Sequence, residues 1–440
     1  MNTACKALQS TTGDTSKGHS TSTAKTRGNA AEVLRLSAAC EAFRIKPVRV
    51  VILADSGALA PRLTEEITTL LATGYQVLVV KVIGSNRPPV LEHKGNGYCE
   101  THIQTGSAVG WRMIMGIPPL YVRLFRMFWR QGAEVFHVGH LFLLPFALAL
   151  SRWKGAKVVY DAYEFHAITW ARYVPVFRTG VQRLLESIEN RLASKADCVL
   201  TVDSVGRTLE KRFRRYNSNV TVLFNVPRRS RASNEARVEQ LKARFSGSEL
   251  VVYAGGISEA KGESIALEAM CLVRQKRPTA RLLLIGRASD SANASAVSDE
   301  LAEHIGWVPY EELLNYLQIA VVGLAIYQRT QHFELLSRGN ARKIFSYMQA
   351  SLPIVASDVG EISLLVREHQ CGIVVHPTDV KHLAKAIVQL LSDREMASEM
   401  GRRGRAAIES KYNWEIEQKK LVRAYALAGI PVAGLRGNGG

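Results

Sequence analysis

Cysteine is scarce and poorly placed for chemistry. Six cysteines, at positions 5, 40, 99, 198, 271 and 371, include no CxxC pair. That excludes a disulfide-stapled fold and a cysteine zinc site, and points to reduced thiols in a cytoplasmic protein. Long apolar runs are missing too. The longest, LFLLPFALAL at 141–150, has about half the length a bilayer crossing needs and contains Pro145. Acidic residues are in deficit: 39 Asp and Glu face 57 Lys and Arg, a formal charge of +18. Such a balance suggests nucleic acid, an anionic membrane surface or phosphorylated small molecules as partners, and says nothing of fold. Residues 1–46 are rich in Ser, Thr and Lys and have no hydrophobic signal core. A disordered arm of a protein that is not secreted is the expectation there.

What is present is an alternation of strands and helices. With 440 residues, 47% hydrophobic and 22% charged, the chain suits two soluble globular domains. VRVVILA (48–54) reads as a buried strand, PRLTEEITTLLATG as a helix closed by Gly74, and YQVLVVKV as a second strand. After a hairpin-like region (90–104) come AEVFHVG, a helix over FLLPFALALSRWK, the strand KVVYDAY, a long helix from about Gly180 to Lys195, CVLTVD, another helix and VTVLFN. The polar, basic stretch after Pro227 interrupts the pattern; ELVVYAGG then opens a second series that ends in helices. The predicted organisation is an arm (1–46), a first lobe (47–227), a linker (228–248), a second lobe with C-terminal helices (249–428) and a tail (429–440). The fold class is α/β: two doubly wound, Rossmann-like lobes of parallel sheet, joined by one connection, face each other across a cleft at their strand ends.

Four features carry candidate chemistry. In YAGGISEAKG (253–262), Gly255 and Gly256 permit close backbone approach and Lys261 precedes a helix opening at Gly262. This is an anion site or an ordinary turn with a solvated lysine, and its spacing is not that of a Walker loop. Lys343, in ARKIFSYMQASLPIVASDVGE (341–361), is a solvated helix residue or a second cation converging on the same cleft. His137 and His140 lie near Asp161 and Glu164; core or cleft-wall histidines are weighed above a metal site at this loose spacing. GWRMIMGIPPLYVRLFRMFWRQ (110–131) has arginines at 112, 123, 126 and 130 among aromatics and no acid. An interfacial helix on an anionic membrane surface and a plain sheet-covering helix stand equal there. No nucleic-acid-binding module is recognisable, so none is expected as partner.

From Val48 to about Trp414 the chain resembles a GT-B glycosyltransferase of the retaining family-4 type. The resemblance rests on APRLTEEITTLLATGYQVLVV, VFHVGHLFLLPFALALSRWKGAKVVYDAYEFH, IENRLASKADCVLTVDS and LFNVP in the first lobe. In the second lobe it rests on VVYAGGISEAKG, IGWVPYEELLNYL and ARKIFSYMQASLPIVASDVGEISLLV, all in the family's order. It implies a nucleotide-sugar donor held by the second lobe, a saccharide or lipid-linked saccharide acceptor held by the first, retention of configuration, and no obligatory metal or other cofactor. By the same resemblance Lys261 and Lys343 flank the donor diphosphate as the catalytic cations, beside Gly255 and Gly256, and the turn Asp358-Val359-Gly360-Glu361 offers backbone N–H groups. The family's two glutamates are replaced by Arg338 and Ser346, its usual glycine by Ser351 and a frequent arginine by Gly256. Ser346 would keep only a weaker hydrogen bond to ribose, and Glu334 or Glu361 would take over the sugar contact. Asp161, Glu164, His166 and Gly57 are the acceptor-side candidates, with Tyr163 where relatives often carry histidine. The implied setting is the cytoplasm, peripheral to the inner face of the membrane.

Overall fold

The computed structural model describes residues 48–54, 61–83, 92–95, 97–104, 111–129, 133–171, 177–230, 234–289, 300–335 and 337–431. Gly57 and the arm 1–46 lie outside them.

The first lobe runs β1 (Val48–Ala54), α1 (Pro61–Ala72), β2 (Val77–Ile83), β3 (Glu92–Gly95), β4 (Tyr98–Gln104), α2 (Trp111–Phe128), β5 (Ala133–Val138), α3 (Leu144–Lys154), β6 (Lys157–Ala162), α4 (His166–Ala171), α5 (Arg178–Ala193), β7 (Cys198–Val202), α6 (Thr208–Arg214) and β8 (Val220–Leu223). Its sheet has the order β3-β4-β2-β1-β5-β6-β7-β8 and is parallel except for the β3–β4 hairpin. The second lobe runs α7 (Glu235–Arg244), β9 (Glu249–Ala254), α8 (Glu263–Lys276), β10 (Ala280–Ile285), β11 (Ala302–Gly306), α9 (Tyr310–Ile319), β12 (Val322–Ala325), α10 (Gln331–Glu334), α11 (Arg342–Gln349), β13 (Ile354–Ser357), α12 (Ile362–Glu368), β14 (Gly372–Val375), α13 (Val380–Ser392), α14 (Arg394–Ser410) and α15 (Trp414–Leu427). Its six strands pair in parallel in the order β11-β10-β9-β12-β13-β14. Central strands such as VRVVILA and ARLLLI are apolar after the arginine at their second position, because helices cover both faces of each sheet. This is the two-lobed parallel architecture expected from the alternation.

Two segments sit elsewhere than the sequence reading places them. Helix α7, inside the expected linker, packs Leu241 and Phe245 into the core of the second lobe. Helix α15, counted with the second lobe, belongs to the core of the first. There Trp414 Nε1 donates to Thr69 Oγ1 at 2.8 Å and the Tyr425 hydroxyl lies 2.7 Å from His137 Nδ1. The chain therefore crosses between lobes twice, where one connection is expected. The crossings are adjacent: Trp414 N donates to Pro227 O at 2.8 Å.

Among the described residues no helix is long and apolar enough to cross a membrane.

Candidate active site

The second lobe presents its site at the end of β9. Backbone after Ala254 turns through Gly255, at φ +116°, whose N–H donates to Ile285 O at 2.8 Å. Lys261 folds back over this turn. Its Nζ lies 2.5 Å from where a Cβ on Gly256 would stand, so the ammonium rests in the space that the missing side chain leaves. The Tyr253 hydroxyl donates to Lys261 O at 2.9 Å and pins the far side of the loop.

Lys343 reaches the same turn from the start of α11. Its Cε stands 3.4 Å from a Cβ built on Gly255, its Nζ lies 3.6 Å from the centre of the Tyr253 ring, and Tyr327 is 5.0 Å away. The Nζ is buried, with no hydrogen-bond acceptor among the described residues. Burial, and then the charge of Lys261, push its pKa well below that of an ordinary lysine; burial alone lowers that of Lys261. Two ammonium groups are thus held together against desolvation and mutual repulsion, an arrangement that a polyanion relieves.

The turn expected to offer backbone N–H groups has three of them engaged within the protein: Asp358 N donates to Val375 O at 2.8 Å, Val359 N donates to Ser357 O at 2.9 Å, and Gly360 N is taken by Glu334. Gly360, at φ +57°, donates its N–H to Glu334 Oε2 at 3.3 Å, and Glu334 Oε1 pairs with Arg329 at 2.8 Å. Arg329 also donates to Asp358 O at 3.0 Å, while the Asp358 carboxylate pairs with Arg367 at 3.0 Å. Glu361 accepts from Gly206 N of the first lobe at 3.4 Å, which shows that this turn faces the cleft. Ser346 is only 3% exposed: its Oγ donates to Arg342 O at 3.1 Å and lies 3.2 Å from the Tyr310 hydroxyl. Arg338 pairs with Glu368. Neither Arg338 nor Ser346, where the family resemblance leads one to expect glutamates, supplies a carboxylate.

In the first lobe the four residues around HVGH divide between two places. Asp161 is 2% exposed and accepts from Arg62 Nη2 at 2.5 Å, while Arg62 Nε donates to Glu66 at 2.7 Å. Burial opposes charge on Asp161, yet the Arg62 guanidinium holds it below the usual carboxylate range; burial and the neighbouring Asp161 raise Glu66. His137 lies in the same cluster, 3.4 Å from Glu66. Asp161 is therefore a member of a buried ion network under α15, not an exposed acceptor contact. Glu164 and His166 lie instead beyond the end of β6, with the His166 Nδ1 3.1 Å from Glu164 Oε1. His140 joins them, its ring 4.6 Å from His166 and 5.2 Å from Trp170, and burial drives its pKa well below the ordinary histidine value. In each trio, Glu66-His137-Asp161 and His140-Glu164-His166, the polar atoms lie within 4.8 Å of one another, a composition able to hold a metal ion.

Residues 248–393 match the family described as glycosyl transferases group 1. A GDP-mannose-dependent monoacylated alpha-(1-6)-phosphatidylinositol monomannoside mannosyltransferase of Corynebacterium glutamicum is 27% identical over 37% of this chain, a match spanning only 42% of that relative. A GDP-mannose-dependent alpha-(1-6)-phosphatidylinositol monomannoside mannosyltransferase of Mycobacterium tuberculosis is 25% identical over 69% of this chain and 78% of its own length. Among solved structures, sucrose-phosphate synthase from Thermosynechococcus elongatus superposes with TM-score 0.62 at 17% identity, covering 86% of this chain and 98% of that one. Anabaena HepE, in complex with UDP and glucose, gives 0.62 at 14%, covering 86% and 99%. The chain has the GT-B fold, and its second lobe carries a glycosyl transferases group 1 domain. Several features of this chain escape a reading of sequence alone: the tyrosine cage of Lys343, the Arg62–Glu66 pair that takes Asp161, and the His140–Trp170 contact. Tyr253 and Tyr327, each at or just past the end of a β-strand beside the site, are the signal that could have shown the first.

Proposed function

We propose that the protein moves a glycosyl group from a nucleotide-diphosphate sugar on the second lobe to a hydroxyl of a saccharide or lipid-linked saccharide on the first. The reaction retains anomeric configuration in the manner of family 4, and serves polysaccharide or glycolipid synthesis at the cytoplasmic face of a membrane. The observation that carries the reading is the convergence of Lys261 and Lys343 on the Gly255–Gly256 turn, with the Lys343 ammonium buried and without an acceptor. When the bond from the anomeric carbon to the diphosphate oxygen breaks, negative charge collects on the leaving group, and two fixed cations in a dry site stabilise it. The acceptor oxygen forms the new bond to the same carbon, and its proton passes to the departing diphosphate. Retention, the absence of an obligatory metal and the path of the proton rest on the family resemblance; transfer is expected to persist in EDTA. The relatives named as GDP-mannose-dependent make GDP-mannose the first donor to test.

A thermal-shift panel of GDP-mannose, UDP-glucose and ADP-glucose tests the reading. At about 100 times its Kd the true donor adds roughly 2.7 kcal/mol of stability by linkage, and Lys261→Ala removes the shift. No shift from any of the three at saturation would sink the proposal. A second reading, donor binding without turnover, is favoured by the missing carboxylates at Arg338 and Ser346 and by the engagement of Ser346 with Tyr310. Multiple turnovers of donor by the unaltered protein with a saccharide acceptor eliminate it.

A further inference from the structure

Among the described residues eleven large hydrophobic side chains are exposed, and seven of them belong to α2, α3 and α5 or to their immediate ends. These three helices lie in one layer, packed against the same face of the first sheet through a common core. Val122, Phe125 and Trp129 recur three and four residues apart, so they form one stripe on the side of α2 turned away from the sheet, where a sheet-covering helix ordinarily shows polar groups. Trp153, from the end of α3, completes the patch. Its ring lies 4.6 Å from Trp129 and 5.7 Å from Phe125, and Phe125 meets Trp129 at 4.9 Å. Lys154 donates to Trp129 O at 2.7 Å and lies 4.3 Å from the Trp153 ring, which fixes the three aromatics as a group. On α5, Leu184 and Ile188 are 60% and 42% exposed.

We propose that this face is an anchor for an anionic lipid bilayer. Charge chooses the occupant. Arg126 and Arg152 flank the aromatics and Arg183 and Arg191 flank the α5 stripe, all exposed. Residues 101–133 and 135–160 contain no Asp or Glu. A second copy of the chain would set these arginines against their own counterparts, whereas anionic headgroups neutralise them while tryptophan and phenylalanine enter the interface. Trp129 and Trp153 stand just before β5 and β6, at the end of the strands opposite the cleft. Docking there leaves the donor and acceptor sites open. The inference deepens the membrane placement proposed above but not the transfer chemistry, because neither Lys261 nor Lys343 takes part.

Co-sedimentation of the full chain with vesicles tests it. Vesicles of phosphatidylcholine with ~30% phosphatidylglycerol bind the protein, and pure phosphatidylcholine vesicles bind it at least about tenfold more weakly. The double substitution Trp129→Ser and Trp153→Ser lowers binding to the anionic vesicles by about tenfold or more, with an unchanged circular dichroism spectrum. Arg126→Ala with Arg152→Ala weakens it and flattens its salt dependence. The proposal is overturned if the unaltered protein ignores anionic vesicles, or if the tryptophan variant binds them as well as the parent. A concentration-dependent dimer that the same variant dissolves, in the absence of vesicle binding, would assign the face to a second copy instead. Nucleotide-sugar shifts are read separately, so failure of the anchor and failure of the transfer reading are told apart.

Discussion

Lys343 places its Nζ over the face of Tyr253 at 3.6 Å, yet among the described residues no oxygen accepts from it. The ring quadrupole offsets part of the lost hydration, worth about 2 kcal/mol when desolvated, but burial and Lys261 still hold the pKa of this lysine well below the ordinary value. A bound diphosphate reverses both causes, replacing lost hydration and screening the second lysine. Its pKa therefore rises on binding, and the complex takes up a proton. Below the pKa of the free protein the lysine is already charged and uptake vanishes. Between that value and the higher one of the complex, affinity falls as pH rises. Calorimetry of nucleotide-sugar binding at several pH values below the pKa of an ordinary lysine, in two buffers of different ionisation enthalpy, is expected to show this uptake, and Lys343→Met to reduce it. Equal heats in both buffers for the unaltered protein would count against the account. In sequence Lys261 and Lys343 each read equally as solvated lysines, and only the family resemblance assigns them to one site. Sequence cannot show the Tyr253 and Tyr327 cage, whose members come from β9 and the segment after β12. Asp161 fails for the same reason: its partner Arg62 is 99 residues away on α1.

At the scale of elements, α15 is the piece whose place sequence reading does not find. Its amphipathic pattern names a helix but not the sheet it covers, and chain order alone puts it with the neighbouring α14. What decides is a set of long-range contacts: Trp414 to Thr69, Tyr425 to His137, and the Tyr75 hydroxyl donating to Pro431 O at 2.5 Å. Strand positions fared better, since parallel strands buried on both faces are apolar over their whole length and need no partner to be recognised. Trp414 is fully buried, so Trp414→Ala removes a large side chain and leaves a cavity between α15 and the first sheet. A loss of about 3–5 kcal/mol in urea unfolding is expected, with the conservative Trp414→Phe costing about 1 kcal/mol for the hydrogen bond to Thr69. A change below about 1 kcal/mol for the alanine variant would mean that α15 is not a structural part of the first lobe.

In the proposed reaction each lobe holds one partner, so transfer depends on how the lobes meet. The seam lies at Gly339, between Arg338 and the helix that carries Lys343. Asn225 N donates to Gly339 O at 2.7 Å, Gly339 N donates to Asp203 Oδ2 at 3.1 Å, and Arg342 Nη1 donates to Asn225 Oδ1 at 2.9 Å. A Cβ at 339 would stand 2.5 Å from Phe224 Cδ1, whose ring packs against the core of the second lobe, and 2.8 Å from Asp203 Cβ of the first lobe. Gly339 is thus a glycine of close approach between lobes, and a methyl group there presses on the Asp203 side of the seam. The lysine pair stays intact on the second lobe, so Gly339→Ala is expected to keep the nucleotide-sugar thermal shift. Misplacing donor and acceptor by about 1 Å costs on the order of a hundredfold in rate, so transfer falls steeply while donor binding holds. Small-angle scattering of the same variant should show a larger radius of gyration than the parent. Unchanged scattering together with unchanged transfer would show that the approach at Gly339 does not set the spacing of the lobes.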